Sequence, residues 1–169
     1  MSSFDPTRRR LLGGLGAILA LTGCGFAPVY SDGRAATSLL GNVAVDSLPG
    51  REGFILRERL RERLGGVPIG QPRYRISTTY SVSSAGLNIS QSASITRFNL
   101  TGVAEFSFRD AVTGDVIFTE SVQAVSAYST TGSAFAAEVA ERDAQERLAL
   151  TIADRIASRV ALAAEALPQ

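Results

Sequence analysis

Histidine, lysine and tryptophan are absent from the 169 residues, and cysteine occurs once, as Cys24. Without histidine there is no His-dependent catalytic triad and no histidine-containing zinc site. Without lysine there is no P-loop and no Schiff-base chemistry. One cysteine cannot form a disulfide within the chain, and if its thiol carries lipid no thiol nucleophile remains. Carboxylate, serine, threonine and tyrosine chemistry is left. The 16 acidic residues are scattered, with no two marked as a working pair. Charge of one sign is lacking too. Taking the three arginines and one aspartate before Cys24 from totals of 17 and 16 leaves 14 basic and 15 acidic residues, a net charge of −1. Nucleic-acid binding needs a clear basic excess, so it is not expected. All the basic residues are arginine. A GC-rich genome accounts for that, although the guanidinium fork also suits phosphate. The length fits one domain.

What is present begins with a basic run, Arg8-Arg9-Arg10, followed by the uncharged stretch Leu11–Leu21 (LLGGLGAILAL). That stretch has the length of a signal h-region and is too short for a membrane span, which needs about 20 apolar residues. Leu21-Thr22-Gly23-Cys24 follows directly and resembles the bacterial lipobox. The competing reading, a short buried helix with Cys24 as a small apolar residue, requires all three features to coincide by accident. Cleavage before Cys24 frees an amine, so the expected modification is S-diacylglycerol plus an N-acyl group such as palmitate. Each buried CH₂ contributes about 0.8 kcal/mol to membrane binding, so two or three chains anchor a domain stably. Thr7 to Leu12 also resembles a twin-arginine signal, and a plain arginine-rich n-region looks the same. Gly25 stands where many inner-membrane lipoproteins carry Asp, which favours the outer membrane.

Residues 24–41 read as a polar tether. Asn42–Leu48 is a short β-prone stretch ended by Pro49-Gly50. Arg51–Leu64 reads as a helix with Leu56, Leu60 and Leu64 on one stripe. Its other positions carry charges, including Glu58/Arg61 and Arg59/Glu62 three residues apart. These form either a solvated face or, less simply, a phosphate-binding one. Gly65-Gly66 and Pro68 stop the helix. Arg73–Ser83 alternates strictly: Tyr74, Ile76, Thr78, Tyr80 and Val82 against Arg75, Ser77, Thr79, Ser81 and Ser83, which predicts a strand with one packed face. Ala85–Ser94 reads as a flexible connection. Ile95–Arg109 is a second strand with a bulge expected near Thr96-Arg97. Asp110–Asp115 is a hairpin turn needing positive φ at Gly114. Val116–Tyr128 returns, with Val116, Phe118, Val122, Ala124 and Tyr128 expected on one face and Glu120 as the exception. Ser133 can cap the last helix. That helix, Ala134–Ala164, is about 45 Å long and is striped by Leu148, Ile152, Ile156 and Val160. Its polar face carries both signs, so packing on a sheet is expected, not a bilayer surface.

The order β-α-β-β-β-α predicts an α+β two-layer sandwich: a mostly antiparallel four-stranded sheet with two helices on one face. The other face, rich in Ser, Thr and Arg, is either solvated or pressed against a polar partner.

Cys24-Gly25-Phe26-Ala27-Pro28-Val29-Tyr30 resembles the C-G-F-x-P-[LV]-Y start of the lipopolysaccharide-assembly lipoprotein family LptE (RlpB), in its alphaproteobacterial form. The resemblance extends through the element order to Tyr128-Ser129 and the long helix. It implies a signal peptide at 1–23, a lipidated tether at 24–41 and one LptE-like domain at 42–169. It further implies a Gram-negative outer-membrane lipoprotein that plugs and helps assemble the LptD β-barrel. The domain would lie largely within the barrel lumen, its lipid anchor facing the periplasm, and lipopolysaccharide would pass to the outer leaflet. No enzymatic activity, cofactor or metal is implied. A porin-like lumen is polar, which a near-neutral, Ser/Thr-rich plug would suit. Lipid A phosphates could pair with arginines at the sheet edge and the adjoining loop: Arg73, Arg75 and Arg97 are the candidates, with ordinary surface roles as the simpler alternative. Two other readings are an accessory lipoprotein of a lipid ABC-type transporter, and a glycan hydrolase using two carboxylates about 5–10 Å apart.

Overall fold

The computed structural model describes residues 35–89, 95–130 and 133–164. The elements run α1 (Ala35–Leu39), β1 (Val43–Val45), α2 (Gly50–Arg63), β2 (Tyr74–Ile89), β3 (Ile95–Asp110), β4 (Val116–Ser129) and α3 (Ala134–Ala164). The four strands form one sheet in sequence order. β1 lies parallel to β2, as the intervening α2 crossover requires, and β2, β3 and β4 form an antiparallel meander. This is the expected α+β two-layer architecture.

Period-two alternation decides which face is covered. Tyr74 and Ile76 of β2, Leu100, Ala104, Phe106 and Phe108 of β3, and Val122 and Ala124 of β4 are all buried. The helices meet them with Leu56, Leu60 and Leu64 on one side and Leu148, Ile152, Ile156 and Val160 on the other. Each large side chain so removed from water contributes about 1.5–3 kcal/mol. Phe108 ties the inner face together, its ring 4.9 Å from that of Tyr74 and 5.4 Å from that of Phe118. The two helices run side by side in the same direction. Arg51 of α2 reaches Glu146 of α3 at 2.9 Å, and Arg59, two turns on, reaches Asp154 at 3.0 Å. Arg63 joins the same carboxylate at 3.3 Å.

The charge pairs expected within helices form: Arg61–Glu58 at 3.1 Å, Arg59–Glu62 at 2.8 Å, and the Glu138/Arg142 and Asp143/Arg147 pairs of α3. α2 ends as its glycines predict. The Gly66 N–H donates to Arg61 O at 2.7 Å and the Gly65 N–H to Glu62 O, a Schellman closure with both glycines at φ 90°. A Cβ on Gly65 would also lie 2.5 Å from Gly41 N, so the backbones meet there. Gly114 has φ 82°, as the turn requires. The Ser133 hydroxyl accepts from the Ala136 N–H at 3.4 Å.

Several details depart from the sequence expectation. The tether read over 24–41 contains α1, and Leu39 is only 1% exposed, because it packs into the core. β2 continues to Ile89, through much of the stretch read as a connection. Its polar residues pair with β3 because the ladder needs backbone groups, not apolar side chains. The bulge near Thr96 is present: Asn88 opposes Arg97 and Ile89 opposes Ile95, so Leu87 and Thr96 are skipped. A second irregularity was not anticipated. Phe108 opposes Phe118 while Arg109 opposes Val116, which leaves Ile117 extra. Val116 therefore falls out of the apolar face and is 49% exposed. Cys24 and the signal residues 1–23 lie outside the described residues.

Candidate functional site

With both helices on one side, the other face of the sheet is uncovered among the described residues. It displays Arg75, Ser77, Thr79, Ser81 and Ser83 from β2, Asn99, Thr101, Val103, Glu105, Ser107 and Arg109 from β3, and Thr119, Ser121, Gln123 and Val125 from β4. A shallow depression of about 230 Å³ is lined by Ser77, Thr79, Glu105, Ser107 and Thr119. The Ser and Thr hydroxyls bond locally: Thr79 Oγ1 lies 3.5 Å from Glu105 O and Ser83 Oγ 3.4 Å from Thr101 O. Such a face offers many weak polar contacts and little apolar area.

The arginine candidates are not gathered into one site. Arg75 and Arg109 oppose each other across β2 and β3. Arg97 lies twelve residues away along β3, about 40 Å at strand rise. Arg75 is also engaged: its Nη1 donates to Asp46 Oδ1 at 2.6 Å, and Ser77 Oγ donates to Asp46 Oδ2 at 2.6 Å. The Arg73 guanidinium sits over the Tyr74 ring, 5.3 Å from its centroid. Asp110 stands nearby. Its Oδ1 accepts from the N–H groups of Thr113 (3.0 Å) and Val112 (2.8 Å), and these bonds, helped by Arg73, hold its carboxyl below the usual range. The end of the sheet carrying Arg73, Arg75 and Arg109 therefore also holds Asp46 and Asp110, and its positive charge is offset. Arg109, whose Nε donates to Ser107 Oγ at 3.2 Å, was not singled out by sequence. Only strand register could have revealed it beside Arg75.

Two further pockets lie where the helices meet the sheet. One, about 280 Å³, is lined by Pro49, Glu52, Gly53, Tyr80, Val82 and Gln145. Burial, and then the charge of Glu52, push the Tyr80 phenol up to about 12, and its hydroxyl has no partner among the described residues. The other, about 520 Å³, runs between β4 and α3 and is lined by Ser121, Gln123, Asp154, Arg155, Ser158 and Arg159, among others. Each of the three pockets has one acid in its lining, so none brings together the two carboxylates a glycan hydrolase would need. Among the described residues no cluster of His, Cys, Asp or Glu could hold a metal ion. No helix there is long and apolar enough to cross a membrane.

The chain is an α+β domain with helices on one face of a mixed four-stranded sheet and an open polar face on the other. It superposes on a Caulobacter crescentus CB15 protein described as a lipoprotein, with a TM-score of 0.64 and 21% identity over 76% of this chain and 95% of that one. Rare lipoprotein B from Shewanella oneidensis gives 0.57 and 18%, covering 72% and 93%. A minor lipoprotein from Acinetobacter baumannii gives 0.59 and 17%, covering 74% and 94%. No curated protein matches the chain. The LptE family, described as lipopolysaccharide-assembly, matches residues 40–160. The chain belongs to the LptE family, and lipopolysaccharide assembly is its role at that level of description.

Proposed function

We propose that this protein is an outer-membrane lipoprotein, acylated on Cys24, that plugs and helps assemble an LptD-like β-barrel for insertion of lipopolysaccharide into the outer leaflet. The observation that carries this reading is the family match over residues 40–160. The uncovered Ser/Thr-rich sheet face supports it physically. A wall of hydroxyls and amides is suited to a water-filled, polar barrel interior, where an apolar face would be costly. Residues 1–23 are the export signal in this reading, and the membrane attachment is entirely lipid. Arg73, Arg75 and Arg97 remain the proposed contacts to lipopolysaccharide phosphates, as separate points along the sheet and not as one cluster.

Affinity purification of the full chain in mild detergent tests the partner. Co-purification of a large outer-membrane β-barrel, with loss of its assembly on depletion, is expected. Recovery with an inner-membrane transporter instead would favour the accessory-lipoprotein reading, and recovery as a free species would end the barrel reading. The anchor has its own test. Intact-mass analysis should show S-diacylglycerol and N-acyl groups on Cys24, and Cys24→Ala should accumulate uncleaved, unacylated precursor.

A further inference from the structure

The cavity of about 280 Å³ beside the start of α2 is walled by three elements. Tyr80 and Val82 come from the inner face of β2, Glu52 and Gly53 from the first turn of α2 with Pro49 before it, and Gln145 from α3. It exists because α2 begins there. The sheet is sealed at Ile76, 0% exposed, and opens again at Val82, 38% exposed. Two of its polar groups lack partners. Every other charged side chain of α2, from Arg51 to Arg63, stands 2.8 to 3.4 Å from an opposite charge. Glu52 has no such counter-charge among the described residues. The helix macrodipole favours a negative charge in the first turn, and Pro49 provides no side-chain cap to compete for it, so the carboxylate is held there without a cation of its own. Beside it the Tyr80 hydroxyl oxygen is buried and makes no hydrogen bond among the described residues, which leaves a polar atom that gains from any donor brought to it.

We propose that this cavity is a socket for an arginine side chain presented by a protein partner. The guanidinium pairs with Glu52, its stem lies along the Tyr80 ring and Val82, and its N–H groups supply the donor that the Tyr80 hydroxyl lacks. Charge complementarity selects the occupant. An anion would meet the Glu52 carboxylate, and an apolar group would leave both the carboxylate and the phenol without partners. An aromatic wall beside a carboxylate attracts a cation by its π face as well as by charge. Arginine fits better than lysine, because its fork carries several donors and is less strongly hydrated. A free cation held by one half-exposed carboxylate binds weakly. A side chain carried by a partner adds contacts of its own backbone and neighbours, and Val82 offers them an apolar rim. Gln145 and Glu52 are long side chains that can swing aside to admit the N–H groups to the phenol. The socket lies on the helix side of the sheet, away from the polar outer face, and it stands independently of which partner that face meets.

The test uses the full chain in detergent with ring-labelled tyrosine, the Tyr80 resonance being identified by its loss in Tyr80→Phe. The probe is the capped peptide acetyl-Val-Arg-Val-amide, whose flanking valines stand for the neighbours of the partner's arginine. Its titration should move the Tyr80 resonance to saturation. The same peptide with citrulline, the neutral isostere of arginine, should leave it in place. Glu52→Gln keeps the shape and removes the charge, and should weaken binding about fivefold. Gln145→Glu sets a second carboxylate on the cavity and should tighten it about threefold. Amide spectra of both variants check that the fold is kept. A Tyr80 resonance that ignores the arginine peptide, or follows the citrulline peptide equally, overturns the proposal. So does binding that neither carboxylate change alters. Propylguanidinium binding as tightly as the peptide would assign the cavity to a free small cation and overturn the partner side chain.

Discussion

The two faces of the sheet are made from the same three long strands, yet they behave as different materials. The inner face, from Ile76 through Phe106 to Ala124, is sealed under two helices, and no buried polar or charged residue is found among the described ones. The outer face, one residue out of phase, carries Arg75, Thr79, Glu105 and Gln123 into solvent. The fold's free energy is therefore concentrated on one side. The other side is left to vary with whatever polar surface it meets, because a surface substitution there costs little. A β-strand can do this because its side chains alternate strictly. A one-residue slip would exchange the two roles entirely.

The sharpest way to break that contrast is to put charge on the sealed side. Ile152→Asp buries an unpaired carboxylate where the side chain is 0% exposed, and should cost several kcal/mol. Unchanged thermal unfolding would mean that α3 does not seal the sheet. A purely steric intrusion should cost less. At Gly102 an added Cβ would lie 3.0 Å from Leu148 Cγ and Cδ2 and 3.2 Å from Tyr80 Cε2. Gly102→Val should lower stability by about 1–3 kcal/mol, read as a shifted denaturant midpoint. An unmoved midpoint would show that helix and sheet can separate there without cost. On the outer face Arg75→Ala removes a surface ion pair with Asp46 and should change stability by about 0–1 kcal/mol. A larger loss by the same measurement would mean that the outer face also holds the fold.

The smallest effect concerns the turn at the end of both faces. The Asp110 carboxyl is held below its ordinary value of 3.8, first by the N–H groups of Thr113 and Val112. Its contribution is present above the ordinary value and is lost as pH falls through the lowered, folded one. Amide resonances of Val112 and Thr113 should therefore move only below about pH 3.8. Movement centred at or above that value would contradict the turn geometry.

Most of the architecture was legible because it follows from periodicity. Tyr74 to Val82 alternates, and Leu148, Ile152, Ile156 and Val160 recur at four. Each pattern specifies an element and its buried side. Where neither rule applies, reading failed. α1 is five residues long, too short to show a period, and among its described side chains Leu39 is the one that is fully buried. The polar half of β2 has backbone pairing as its reason to be a strand. Val116 was misplaced because an extra residue at Ile117 changes the phase, and no composition marks it. The candidate site was less legible than the fold. Arg75 and Arg97 look alike in sequence, yet one is engaged by Asp46 and the other lies far along β3. The hydrogen bonds of Arg147 to Ala127 O and of Arg155 to Gln123 O depend on which strand ends up outermost, and no local pattern states that.

The parallel placement of β1 has a geometric consequence. Val43 sits beside Tyr74, which in turn sits beside Asp110, so the polypeptide enters the sheet at the end bearing the Asp110–Asp115 turn. α3, antiparallel to β4, brings residues 160–164 back toward that same end. The backbone that precedes β1 thus meets the sheet at its base. The far rim of the β2–β3 ladder lies as much as about 50 Å from that entry point at Val43.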